Sequence, residues 1–184
     1  MNTCMMLVDL QNDYFPGGNM ELTGIGAAVA NARLLLDEFR KRKAHIIHIQ
    51  HISTHEGATF FLPDTNGAEI NQLVVPQADE IIVVKNYPNS FRDTRLLEIL
   101  KQHNISDILI SGAMSHMCID ATVRAAFDLG FTCMVAEDAC ATKNLTFNDK
   151  TIHASEVHAS FMAALSGSYA NVRSTKAIIE NRVE

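Results

Sequence analysis

The chain has 184 residues, 47% of them apolar and 20% charged, and we expect one domain spanning 1–184 that buries roughly 70% of its unfolded-chain surface. A net charge of −6 argues against nucleic acid or an anionic membrane as partner, and no apolar run reaches membrane-spanning length. Residues 1–9 show no basic segment with a cleavage site, and four cysteines without paired spacing suit a reducing, cytoplasmic setting, so a small-molecule partner is expected.

An apolar run at 4–8 predicts a first strand, ended by Asp9. The spacing of Val29, Leu34, Leu35 and Phe39 predicts a helix over 27–42, followed by a strand at 46–49. Residues 52–77, with Gly57, Pro63, Gly67 and Pro76, read as a long loop with one turn around 68–73, and such loops carry function. A third strand at 81–84 ends at Lys85; a helix over 94–103 precedes a fourth strand at 108–110. The chain then turns through residues 112–117 to Cys118 and a helix over 119–129. A fifth strand at 133–136, a helix over 155–165 and a weak strand at 171–173 complete the pattern. Strand and helix in alternation predict an α/β fold, a parallel sheet covered on both faces.

Ligands of such sheets bind outside the carboxyl ends of the strands. Asp9, Lys85 and Cys118 all follow strand ends, so a carboxylate, an ammonium and a thiol are expected along one rim. Cys118 opens a helix, whose unpaired N–H groups favour a thiolate and can hold an oxyanion. A carboxylate beside a thiol can take its proton and return it, while a cation stabilises both anions. Singly, Asp9 reads as a turn residue, Lys85 as a solvated strand end and Cys118 as a small buried hydrophobe. Together they point to catalysis, and Cys4, Cys133 and Cys140 have no such setting. Two other classes keep the same residues: a noncatalytic oligomeric binding protein, and a redox-sensing thiol protein, for which no local spacing supplies a resolving cysteine.

The segment Asp9-Leu10-Gln11-Asn12-Asp13-Tyr14-Phe15 resembles the D-x-Q-x-D-F motif of the isochorismatase-like cysteine hydrolase superfamily. Lys85 with Ser90-Phe91 resembles its lysine motif, and Gly112-Ala113-Met114-Ser115-His116-Met117-Cys118 its nucleophile turn. The resemblance runs from Cys4 to about Val172. It implies a Rossmann-like six-stranded parallel β-sheet with helices on both faces. It also implies a triad of Asp9, Lys85 and Cys118 that cleaves a C–N bond of a small amide, lactam or carbamoyl substrate through a thioester. A cis peptide at Ala113–Met114, an oxyanion hole from the backbone of Met114 and Cys118, and a homodimer or higher homo-oligomer are implied as well. Residues 116–122 and 137–142 resemble the branch that includes streptothricin hydrolase.

Members that act on isochorismate lack this cysteine, so that activity is not expected. Nicotinamidase-like members hold a metal with an Asp-x-His pair and a further His after the second strand, where this chain reads Gln50-His51-Ile52-Ser53-Thr54-His55 without the aspartate. If the strand continues through His51, alternation puts His48 and His51 on opposite faces; no metal or other cofactor is expected, and the histidines read as structural. Phe15, Phe61, Tyr87 and His116 lie on rim loops and are the expected substrate contacts. The triplet Phe60-Phe61-Leu62 is expected to need cover, from a partner subunit or from its own pocket.

Overall fold

The computed structural model describes residues 2–180. Its elements are β1 (Thr3–Val8), α1 (Ile25–Lys41), β2 (Ile46–His51), β3 (Ile81–Lys85), α2 (Leu96–Gln102), β4 (Asp107–Ala113), α3 (Asp120–Asp128), β5 (Thr132–Ala141), the hairpin β6 (Leu145–Phe147) and β7 (Lys150–Ile152), α4 (Ala154–Ser166), β8 (Asn171–Arg173) and α5 (Thr175–Glu180). Six strands form one sheet in the order β3-β2-β1-β4-β5-β8, and every pair in it is parallel. The α/β expectation and the six-stranded parallel sheet hold.

Alternation along β1 shows why both faces need helices. Met5 and Leu7 enter a core with α1 and Ile178 of α5, whereas Cys4, Met6 and Val8 enter a second core with α2, α3 and α4. At about 2 kcal/mol per fully buried large apolar side chain, these two layers are the main force holding the sheet between its helices.

The strand order also places the site. From β1 the chain moves through α1 to β2 on one side, and from β4 through α3 to β5 on the other, so the carboxyl ends of the adjacent β1 and β4 open a crevice. The two strands approach closely there: a Cβ on Gly112, whose φ is +129°, would meet the Val8 carbonyl oxygen at 2.0 Å.

Several boundaries differ from the sequence expectation. Strand β5 runs on to Ala141, because the register slips between Ile110, paired with Val135, and Gly112, paired with Cys140, leaving a bulge around Asp138. Cys140 is therefore a buried strand residue. Asp138 Oδ1 accepts from both the N–H and the hydroxyl of Thr175, each at 2.7 Å, and so starts α5. The 52–77 segment holds two short 3₁₀ turns, Asn66–Ala68 and Gln72–Val74. Phe61 is fully buried and Phe60 and Leu62 are half-buried, so the triplet folds back on its own chain and gives no motive for a partner.

Candidate active site

Asp9 leaves β1 with a left-handed backbone, φ 53°, and its N–H donates to the Ile49 carbonyl at 3.0 Å. Lys85 is the last residue of β3, beside His51 at the end of β2. Cys118 lies in a wide turn, Ser115–Ile119, in which the Ile119 N–H reaches back five residues to the Met114 carbonyl at 3.2 Å. The peptide before that turn, Ala113–Met114, is cis. The turn is tethered on two sides: Ser115 Oγ lies 2.8 Å from His158 Nδ1 on α4, and His116 Nδ1 lies 2.6 Å from Thr142 Oγ1 after β5.

These elements bring Asp9, Lys85 and Cys118 together out of water, at 0, 1 and 4% exposure. Lys85 Nζ donates to Asp9 Oδ2 at 2.8 Å, to His51 Nδ1 at 3.0 Å and to Cys118 Sγ at 3.2 Å, which uses all three ammonium hydrogens. The other carboxylate oxygen, Asp9 Oδ1, is buried without a hydrogen-bond partner among the described residues. Asp9, His51 and Cys118 offer ligand atoms within 4.8 Å of one another, a donor set with metal-binding chemistry. The Lys85 ammonium bonds to all three, so the chain supplies its own cation at the centre of that cage.

The electrostatics revise one expectation. Burial, and after it the Asp9 carboxylate, push the Cys118 thiol up despite the opposing Lys85 ammonium. Burial thus favours the protonated thiol in the free protein, against the thiolate that a helix terminus favours. Lys85 stays charged: burial opposes the ammonium, but Asp9 and Cys118 outweigh it and raise its pKa.

His51 was read as structural, yet it stands in the site. Its Nδ1 faces Lys85, so the remaining ring proton sits on Nε2. Burial and then the Lys85 ammonium push its pKa down to about 4. In the unfolded chain a histidine titrates near about 6.5, so the stability contributed by the neutral ring is complete above that value and is lost as pH falls toward about 4. Urea midpoints followed from neutral pH to about pH 4.5 are expected to fall, and to fall less steeply in His51→Gln. His48, as alternation required, points the other way, with Nε2 at 2.8 Å from Glu80 Oε2.

The motif residues between these groups hold the walls. Gln11 is fully buried, donates to the carbonyls of His51 at 2.8 Å and Ala68 at 2.7 Å, and accepts from the His51 N–H at 2.7 Å. Asp13 accepts from the Phe61 N–H at 2.6 Å and from Asn19, and it leaves no room for a Cβ on Gly67. That pin holds Phe61 at φ 54°, with its ring 4.6 Å from Tyr14 and 5.9 Å from His51. Among the four expected substrate contacts, Phe61 thus stands beside the buried cluster. Phe15 packs against the α1 core, Tyr87 lies under the Arg92 guanidinium at 3.6 Å, and His116 is turned toward Thr142 and Phe161.

A six-stranded parallel sheet whose switch point carries a cis peptide and a wide turn beside a buried carboxylate and ammonium defines an isochorismatase-like hydrolase. The Isochorismatase domain family matches residues 3–175, and the chain belongs to that family. The uncharacterized isochorismatase family protein YddQ of Bacillus subtilis is 47% identical over 180 residues, 98% of this chain and 100% of that one. A crystal structure described as an isochorismatase hydrolase, from Oleispira antarctica, superposes with a TM-score of 0.94 at 47% identity, over 97% of this chain and 96% of that one. A streptothricin hydrolase of Streptomyces noursei is more distant, 29% identical over 143 residues, 77% of this chain and 50% of its own length.

Proposed function

We propose that this protein is a cysteine hydrolase that cleaves a C–N bond of a small amide, lactam or carbamoyl compound. The observation that carries the reading is the Lys85 ammonium hydrogen-bonded to both Asp9 and Cys118 while Asp9 Oδ1 stays buried and, among the described residues, unpartnered. That oxygen takes the thiol proton as Cys118 Sγ attacks the carbonyl carbon. Lys85 holds the carboxylate and the sulfur in place. The backbone N–H groups of Met114 and Cys118 bind the oxyanion, and the leaving nitrogen takes the proton from Asp9 as the C–N bond breaks. Water, losing a proton to Asp9, then hydrolyses the thioester and regenerates the thiol.

The cytoplasmic setting rests on four free cysteines, all buried; among the described residues no helix is long and apolar enough to cross a membrane. The homo-oligomer rests on resemblance alone, now that the Phe61 triplet is covered. A panel of small amides, lactams and ureido compounds tests the function by released ammonia or amine. Release from at least one, undiminished by a strong chelator, is expected; no release from any of them would refute the reading.

A further inference from the structure

Two consecutive residues of the turn that carries Cys118 are gripped by the same two elements. Ser115 Oγ lies 2.8 Å from His158 Nδ1 on α4 and 3.3 Å from the Ala141 carbonyl oxygen at the end of β5. His116 meets Phe161, three residues further along α4, with ring centroids 6.0 Å apart, and its Nδ1 lies 2.6 Å from the hydroxyl of Thr142, the residue after Ala141. Ala141 is also the cross-strand partner of Ala113, so the Ser115 side chain carries the β4–β5 contact two residues into the turn. The bonds that the Met117 and Ile119 N–H groups donate inside the turn both end on the Met114 carbonyl; they shape the turn but do not set its angle to the sheet.

Ser115 is at 0% exposure, so its hydroxyl must find its partners within the protein. It has one hydrogen to give. Both contacts are made together when His158 is neutral with its proton on Nδ1: the Nδ1–H then donates to Oγ, and the hydroxyl donates to the Ala141 carbonyl. The reverse arrangement, a hydroxyl donating to Nδ1, leaves the carbonyl contact without a hydrogen. Burial lowers the pKa of this half-buried histidine against the opposing charge of Glu137, which favours the neutral ring.

We propose that His158 is a positioning residue for the hydrolysis: through the Ser115 hydroxyl it fixes the angle of the turn that presents the Cys118 sulfur and the N–H groups aimed at the oxyanion. The inference rests on the proposed Cys118 chemistry. His158 touches no reacting atom, and its effect is one of aim, since a displacement of about 1 Å at the reacting groups costs about 10²-fold in rate.

The test uses an amide that the native protein hydrolyses. His158→Leu and Ser115→Ala are each expected to lower kcat by about 10²-fold with KM changed by less than about threefold, because the loss falls on the transition state and not on binding. His158→Asn, whose side-chain amide places an N–H near the position of Nδ1, is expected to keep kcat within about fivefold of the native value. The double variant His158→Leu/Ser115→Ala should lose no more than either single variant, since the two side chains act as one unit. A leucine variant that does not fold leaves the decision to His158→Asn and to Ser115→Ala, which removes a single oxygen atom. A fall in kcat under about fivefold in Ser115→Ala, an asparagine variant that loses as much as Ser115→Ala, or losses that multiply in a folded double variant would each overturn the positioning role and leave Cys118 as nucleophile. No hydrolysis of any amide by the native protein would overturn the hydrolase reading, and this inference with it.

Discussion

Cys118→Ala is expected to lower turnover of any amide substrate by about 10⁴-fold or more while leaving the protein folded. The size of the loss follows from the chemistry: without the sulfur, Asp9 has only water to activate, and no covalent intermediate divides the reaction into two easier steps. The fold tolerates the change because the side chain is small and 96% of its surface is already covered by neighbours that stay, its own exposure being 4%. One Lys85 N–H loses its acceptor, at a cost of about 1 kcal/mol. Circular dichroism and urea unfolding of the variant separate this outcome from misfolding. Activity retained within tenfold would assign the nucleophile elsewhere.

Lys85→Met is expected to act on stability as strongly as on turnover. Methionine keeps the length and the apolar stem but removes the ammonium, leaving the Asp9 carboxylate at 0% exposure with neither oxygen bonded by the lysine. Breaking a buried ion pair from one side costs about 3–5 kcal/mol, because the surviving charge is neither hydrated nor paired. The double variant Lys85→Met/Asp9→Asn removes both charges and is expected to recover part of that loss, which a double-mutant cycle on urea midpoints reads directly. Additive losses would mean that the pair does not interact as its 2.8 Å separation requires.

Asp9, Lys85 and Cys118 were legible in the sequence because a parallel sheet sends the end of every strand to the same rim, so strand ends alone predict company. Their mutual distances were not legible, since these depend on β1 and β4 flanking the switch point. His51 was missed for a related reason. Period-two alternation correctly separates it from His48, but it says nothing of the cross-strand neighbour, and β2 pairs His51 with Lys85. At Cys118 the partial charge of a helix terminus is set against burial and the full charge of Asp9, which act at closer range and raise the thiol pKa, and neither of these is visible in the sequence.

Two further elements show the limits of pattern reading. The β6–β7 hairpin has a turn signal in Asn148-Asp149, which take positive φ values of 48° and 58° between the two short strands, but no long apolar run flanks it to mark the strands. The Phe60-Phe61-Leu62 triplet looked like surface in want of cover. Its burial depends on Asp13, forty-eight residues earlier in the chain, whose carboxylate holds the Phe61 N–H. No local pattern links those two positions.

The most direct test of a covalent route through Cys118 is partitioning. Two amides that share an acyl group and differ only in the amine are hydrolysed in the presence of hydroxylamine, and the hydroxamate is measured against the free acid. A common thioester at Cys118 requires the same ratio for both amides, because the amine has left before water and hydroxylamine compete. Ratios that change with the departing amine would contradict the account, since water would then be attacking the amide itself.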